Sequence, residues 1–215
     1  MTASYSSLNL VILGPPGSGK STQARQLAEN YQVALISTRE MLRAEVTKGS
    51  SFGLQVADSM DRGELISDRL MSGMLLQRID RDDCWRGFVL DGYPRTSDQA
   101  SLLDSMLAEL GRTIERVVLL NVNEETGVDR LTAVHGVVGD GELSGDNGRD
   151  PAAGLTPKPS TEDQVRERFR VWRDHAPALI ESYRRRGLLF EVDGNRMKNE
   201  VSEAVRQVVG APVGA

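Results

Sequence analysis

The sequence predicts an α/β protein with three layers, helices on both sides of a five-stranded parallel sheet. Five short apolar runs recur along the 215 residues, and short apolar runs are typical of strands buried on both faces. Each run is followed by apolar residues at helical spacing, and strands that alternate with helices favour right-handed crossovers. A glycine-rich stretch between the first run and the first helix fits the same fold.

The individual elements follow from these patterns in chain order. The apolar runs predict strands at 10–13, 33–36, 88–90, 117–120 and 188–192. Helical spacing predicts helices at 23–31, 38–47, 53–61, 66–79, 97–110, 124–133, 165–183 and 197–209. The segment 136–159 is rich in glycine and proline and has almost no apolar periodicity. A long irregular segment in a compact domain is typical of a functional lid or of a disordered stretch.

Composition limits the partners and the compartment. The net charge of −5 argues against nucleic acid as a partner, although a polyphosphate needs only a local basic cluster. The single cysteine, Cys84, excludes an intrachain disulfide and a cysteine-built zinc site, and it fits a reducing compartment. No apolar run has membrane-spanning length and residues 1–7 lack a signal-peptide pattern. We therefore expect a cytoplasmic protein with no membrane partner, and a monomer.

The stretch at 14–21, G-P-P-G-S-G-K-S, fits the phosphate-binding loop pattern G-x-x-x-x-G-K-[ST]. Glycines let the backbone turn its N–H groups inward, and a helix N-terminus adds partial positive charge where a phosphate would lie. Lys20 would reach the outer phosphates, and the Ser21 hydroxyl would help to hold Mg²⁺. The alternative is a Gly-Pro turn before a helix with Lys20 merely solvated.

Asp91 ends the third predicted strand, in G-F-V-L-D-G-Y-P-R. An acidic residue at this place completes the Mg²⁺ site in many phosphate-loop proteins. Magnesium keeps most of its waters, so that one hydroxyl, one carboxylate and phosphate oxygens suffice. The alternative is that Asp91 caps a helix or turn. We expect no zinc, because the predicted lid has no set of four cysteine or histidine ligands.

Several arginines lie beside predicted strand ends or loop borders, namely Arg43, Arg95, Arg130, Arg166 and Arg168. Phosphoryl transfer requires positioning and charge neutralisation, and the planar guanidinium grips phosphate oxygens in pairs. Each arginine alone could be a surface charge, but their grouping at strand ends favours a polyphosphate site. Arg168 lies at the edge of the apolar stripe of its helix, whereas Arg166 does not.

Five motifs together carry a family resemblance: G-P-P-G-S-G-K-S-T-Q, I-S-T-R-E-M-L-R, L-D-G-Y-P-R-T-x-x-Q-A, V-x-x-R and V-D-G-N. In order and approximate spacing the sequence resembles adenylate kinases and related nucleoside monophosphate kinases, over residues 8–133 and 163–209. The resemblance implies transfer of the γ-phosphoryl group of ATP to AMP, giving two ADP, with Mg²⁺ as cofactor. It also implies one kinase domain over 1–215, with its core at 1–36, 67–133 and 163–215, an AMP-binding region at 37–66 and a lid at 134–162.

The resemblance further implies a role for each matching residue. The ATP-binding set would be Gly14, Pro15, Pro16, Gly17, Ser18, Gly19, Lys20, Ser21, Thr22, Arg130 and Arg196. The AMP-binding set would be Thr38, Arg43, Gly92, Arg95, Gln99 and Arg168. The catalytic set would be Lys20, Asp91, Arg95, Arg130 and Arg168, with Ser21 and Asp91 at the metal. Gln99 would read the adenine edge, Arg168 would neutralise the transferred group, and the Tyr93–Pro94 bond would be cis.

The sequence departs from the family pattern at some of these positions. Arg39 and Glu40 replace the usual Gly-Asp after the threonine. Val134 stands where the family has an arginine four residues after Arg130, and the nearest candidates for a lid arginine are Lys158 and Arg149. Two alternatives therefore stay open: a kinase for UMP or CMP, and a nucleotide-binding module with weak catalysis.

Overall fold

A computed structural model of the chain describes residues 7–49, 53–54, 67–136 and 161–210. The predicted helix at 53–61 and the predicted AMP-binding region at 37–66 are only partly within these ranges. Nearly all of the predicted lid, with Arg149 and Lys158, lies outside them. The division of the chain into core, AMP-binding region and lid therefore stays a prediction.

The sheet contains five parallel strands, as the sequence predicts. They are β1 (Leu8–Leu13), β2 (Ala34–Ser37), β3 (Gly87–Asp91), β4 (Arg116–Asn121) and β5 (Leu189–Asp193), in the spatial order β2-β3-β1-β4-β5. From β1 the chain first forms β2 and β3 on one side of β1, and it then forms β4 and β5 on the other side. Ligands bind in such folds at the carboxyl ends of the strands where the order reverses. The end of β1 and the end of β3 meet there, and Ile12 pairs in register with Asp91.

Helices cover both faces of this sheet and give the three predicted layers. They are α1 (Lys20–Tyr31), α2 (Thr38–Thr47), α3 (Asp68–Ile79), α4 (Ser97–Glu109), α5 (Glu124–Gly136), α6 (Glu162–Arg185) and α7 (Lys198–Val209), with a short 3₁₀ helix at Asp82–Cys84. None of the helices in the described ranges is both long and apolar enough to cross a membrane.

The alternation of side chains along β1 divides the core into two halves. Val11 and Leu13 point into the cluster that includes residues of α3, α4 and α6, while Leu10 and Ile12 point into the cluster with α1 and α7. All four side chains are at most 3% exposed. Burial on both faces explains why the strand reads as a continuous apolar run.

Polar residues set the start of several helices. The side chain of Ser37 accepts a hydrogen bond from the Glu40 N–H at the start of α2, and Thr96 caps α4 in the same way. Thr161 and Gln164 form a capping box at the start of α6. These caps fix where the helices begin: α2 follows the carboxyl end of β2 directly, and α4 begins at Ser97, after a short segment that follows β3.

Candidate active site

The glycine loop connects β1 to α1 with no side-chain cap at the start of the helix. Gly17 and Gly19 have φ angles of 72° and 84°, a region that favours glycine. The Ser18 N–H donates to the Pro15 carbonyl at 3.2 Å, but the buried Ser18 hydroxyl has no hydrogen-bond partner among the described residues. The first N–H groups of a helix have no partner within it. A bound anion would satisfy these donors.

The glycine loop packs on the first turns of α5 with no room for a side chain. A Cβ atom on Gly17 would lie 2.7 Å from the Gly127 Cα. A Cβ atom on Gly127 would lie 2.6 Å from the Pro16 carbonyl oxygen and 2.8 Å from Cε2 of the buried Phe169. Gly127 therefore helps to position the loop, although no sequence motif marks it. A packing requirement of this kind depends on two distant segments and has no local signal.

Lys20 is a cation in a strongly positive neighbourhood. Its Nζ donates to the Pro15 carbonyl at 3.2 Å. Burial lowers the pKa of Lys20 to about 8; Asp91 raises this pKa, and the charges of Arg39, Arg95 and Arg168 lower it further. At pH 7 the ammonium group is still mostly protonated. It lies where the sequence predicts the lysine that reaches the outer phosphates.

Ser21 and Asp91, the predicted magnesium pair, are in direct contact. The Ser21 hydroxyl donates to Oδ2 of Asp91 at 2.6 Å. Asp91 is 5% exposed, and its second oxygen, Oδ1, is buried with no hydrogen-bond partner among the described residues. A buried carboxylate oxygen without a partner is costly unless a cation or water satisfies it. The donor set thus fits Mg²⁺, which needs few protein ligands when phosphates and waters supply the rest.

Other acidic groups do not compete for this ion within the described part of the chain. No cluster of three or more His, Cys, Asp or Glu side chains that could hold a metal occurs in the described residues. Cys84 is fully buried and lies beside Arg78 and Asp83. A small buried thiol at this place acts as an apolar filler of the core.

The segment after β3 contains several of the residues that the resemblance assigns to the AMP-binding set. The Thr38 hydroxyl donates to the Asp91 carbonyl at 3.3 Å, which ties the start of α2 to the end of β3. Gly92 has a φ angle of 90°, and a Cβ atom there would lie 2.5 Å from the Thr38 hydroxyl oxygen. The Tyr93–Pro94 bond is cis, as predicted. These features bring Thr38 and Gly92 together as the sequence implies.

Gln99 is held by two partners at the start of α4. Its Oε1 accepts from the Arg95 N–H at 2.7 Å, and its Nε2 donates to Oδ1 of Asp68 at 2.7 Å. The Arg95 side chain donates through Nε to the Gly92 carbonyl at 3.0 Å. Gln99 is only 2% exposed, so its orientation is fixed. The contact with Asp68, at the start of α3, could not be deduced from the motifs, because no pattern in the sequence indicates that the starts of α3 and α4 lie side by side.

Arg130 uses its guanidinium to connect three loop segments. Its NH1 donates to the Gly194 carbonyl at 2.9 Å and to the Gly17 carbonyl at 3.4 Å, and its NH2 donates to the Arg196 carbonyl at 3.4 Å. The Arg196 side chain itself pairs with Asp193 at 3.3 Å. Arg130 of α5 and the V-D-G-N motif thus meet at the glycine loop.

The remaining predicted arginines separate into two groups. Arg168 is half-buried, its pKa is lowered by burial and by the charge of Arg39, and its charge acts in turn on Lys20. The charge of Arg43 likewise lowers the pKa of Arg39. Arg166 instead forms ion pairs with Glu124 at 3.1 Å and with Glu162 at 2.7 Å. It belongs to an exposed surface network that joins α5 and α6.

Comparison with known proteins agrees with this geometry. The model of the family described as "Adenylate kinase" matches residues 12–188. Two similar curated proteins are an adenylate kinase of Archaeoglobus fulgidus, 40% identical over 88% of this chain and 92% of its own length, and one of Xylella fastidiosa strain 9a5c, 40% identical over 94% of this chain and all of its own. The chain belongs to the adenylate kinase family. Membership confirms the resemblance, the fold class and the expected enzyme class, a nucleotide phosphotransferase.

Proposed function

We propose that this adenylate kinase family member transfers the γ-phosphoryl group of ATP to AMP, giving two ADP. The observation that carries the proposal is the contact between Ser21 and Asp91 beside the glycine loop, with the buried Asp91 Oδ1 free among the described residues to face a cation. Family membership supports AMP as the acceptor. The alternatives of UMP and CMP rest on no contact within the described residues.

ATP would bind on the glycine-loop side. The backbone of residues 14–22 would surround its phosphates, Lys20 would neutralise the outer ones, and Arg130 with the Arg196 carbonyl would form the border towards the base. Mg²⁺ would be held by Ser21 and Asp91, partly through water. When bound, the ion neutralises charge on the transferring phosphates.

AMP would bind on the side formed by Thr38, Gly92 and Gln99. Arg43 and Arg95 would hold its phosphate, and Arg168 would lie at the transferred group. An oxygen of the AMP phosphate attacks the γ-phosphorus of ATP, and the bond to the β–γ bridging oxygen breaks, so that both products are ADP. The protein contributes alignment and positive charge, because phosphoryl transfer needs little covalent help. Repulsion among the cations would be relieved when the phosphates enter.

The segment at 134–162 would close over the site as a lid, and 37–66 would close over AMP. Closure excludes water, which competes with AMP as acceptor. Lys158 or Arg149 would supply the positive charge of the lid. The protein would act as a magnesium-dependent cytoplasmic monomer, with ATP, AMP and ADP as its only substrates and products.

A panel of acceptors tests the proposal. We would measure ADP formation in a coupled assay with ATP, Mg²⁺ and either AMP, UMP or CMP, and we expect AMP to give the highest kcat/KM. No ADP with any acceptor, together with calorimetric binding of ATP, would instead identify a nucleotide-binding module. A comparison of kcat for Lys158→Ala and Arg149→Ala would show which of the two residues supplies the positive charge of the lid. An unchanged kcat in both variants would mean that the lid only excludes water.

A further inference from the structure

Arg39 is a cation in the site to which no role was assigned from the sequence. It is the second residue of α2 and directly follows Thr38, which donates to the Asp91 carbonyl. Ser37, two residues before Arg39, pairs in register with Asp91 in the sheet. The start of α2 is also linked to α1 by the ion pair between Glu40 and Arg25 at 3.7 Å. The backbone of Arg39 is therefore anchored beside the predicted metal pair.

The charges around Arg39 are almost all positive. Arg39 is exposed to solvent. Partial desolvation beside the site, followed by the charge of Arg43, lowers its pKa, and Asp91 opposes this. The charge of Arg39 in turn lowers the pKa of Lys20, Arg95 and Arg168. It thus reaches the donor side at Lys20 and the acceptor side at Arg95. Each of the two sides was built above from independent hydrogen bonds.

The free protein gives Arg39 little to stabilise it. It forms no ion pair or hydrogen bond with another residue in the described ranges, and a cation in the first turn of a helix opposes the helix dipole. An arginine held among other cations without an acidic partner is stabilised once anions arrive. Since the planar fork of arginine matches phosphate oxygens, the missing partner has the chemistry of a phosphate.

We infer that Arg39 is an additional phosphate-binding residue that contacts the phosphates between the donor and the acceptor. The inference rests on the proposed function for the identity of those phosphates. It adds Arg39 to Lys20, Arg95 and Arg168 as a group that compensates charge during the transfer.

Two substitutions and a matched control test the inference. A hydrogen bond to a charged group is worth about 1.5–3 kcal/mol, so Arg39→Ala should lower kcat/KM for AMP by about 10- to 100-fold. Arg39→Lys should give an intermediate loss, because it keeps the charge without the fork. Arg185→Ala removes an arginine from an exposed ion pair with Glu181, and it should leave the kinetics unchanged.

Stability separates phosphate binding from a structural role. Without nucleotide, Arg39→Ala should unfold at the same temperature as the wild type or a higher one, because it removes repulsion and an unfavourable helix charge. A structural residue would lose stability and activity together. Lower stability of Arg39→Ala, with kcat/KM restored by Arg39→Lys only in step with stability, would overturn the inference.

Binding of inorganic tripolyphosphate, measured by calorimetry, needs no turnover and separates the two proposals. If the wild type makes no ADP, the proposed function fails, and weaker tripolyphosphate binding by Arg39→Ala would still support Arg39 as a phosphate ligand. If the wild type is active and Arg39→Ala keeps its kcat, its KM values and its tripolyphosphate affinity within twofold, the inference fails alone.

Discussion

Two glycines inside helices provide a matched pair of alanine substitutions. Gly73 lies in α3, and a Cβ atom there would meet no atom within 4 Å. Gly127 lies in α5, where a Cβ atom would lie 2.6 Å from the Pro16 carbonyl oxygen. Alanine in a helix interior is favoured over glycine by about 0.5–1 kcal/mol. Both substitutions gain this stabilisation of the helix, but in Gly127→Ala the new methyl group must also displace neighbouring atoms.

The structure sets the size of the difference. Ordinary contact begins at 3.4 Å, so that the Pro16 oxygen or α5 must move by about 1 Å in a closely packed region. Overpacking of this kind costs about 1–3 kcal/mol. The unfolding temperature of a chain of this size changes by about 2–4 °C per kcal/mol. We expect Gly73→Ala to be stabilised and Gly127→Ala to unfold several degrees below it.

The same displacement should affect the kinetics. A misplacement of about 1 Å in a positioning element can cost about 100-fold in rate. Gly127→Ala should therefore lose up to that factor in kcat/KM for ATP, with a smaller change in KM for AMP, while Gly73→Ala keeps both. Thermal unfolding and the coupled ADP assay measure these effects. Equal stabilisation of both variants, with unchanged kcat/KM for ATP, would refute the argument that the glycine loop rests on α5.

Three further outcomes follow from the charges and hydrogen bonds of the site. Lys20→Met should reduce kcat by about 10²-fold or more and leave the fold intact, because it removes a preorganised charge; near-normal turnover would refute the assigned phosphate site. The affinity for ATP, measured by calorimetry, should fall above pH about 8, because burial lowers the pKa of Lys20 to about 8 and the neutral amine attracts phosphate less. In Arg39→Ala this fall should begin at a higher pH, because the charge of Arg39 lowers the pKa of Lys20. An affinity that does not depend on pH would contradict the assignment of Lys20 to the phosphates. Asp68→Ala should lower KM for AMP by about 10-fold or more, since it releases the Gln99 amide from a bond to a carboxylate, which is worth about 1.5–3 kcal/mol; an unchanged KM would mean that the wild type keeps this bond when AMP binds, or that Gln99 does not contact AMP.

The strands and the order of the elements were predictable because a strand that is buried on both faces has a continuous run of apolar residues. The predicted and observed bounds differ mainly at polar ends. Asp193 pairs with Asn121 in β4 and extends β5 beyond the apolar run, although neither residue is apolar. The start of α1 was placed too late, since glycine-loop residues Lys20 and Ser21 already belong to the helix.

The site was predictable where a single segment carries the chemistry and unpredictable where two segments meet. Lys20 was predicted from the glycine-loop motif, and Asp91 was predicted from its place at the end of the third strand. Asp68 and Gly127 were missed because their importance comes from contacts with Gln99 and Pro16, far away in the chain. Arg39 had a weak signal, since it follows Thr38 at the end of β2, but charge proximity across strands is visible only in three dimensions.

The three carbonyl contacts of Arg130 have a consequence for how its variants are understood. They join the phosphate loop and the turn after β5, segments that are 177 positions apart when counted from Gly17 to Gly194. A lysine there would keep the positive charge but offer one nitrogen in place of two, so it could not hold the Gly194 and Arg196 carbonyls with the two separate nitrogens that arginine uses. An Arg130→Lys enzyme would thus separate the mechanical task of this side chain from its electrostatic one.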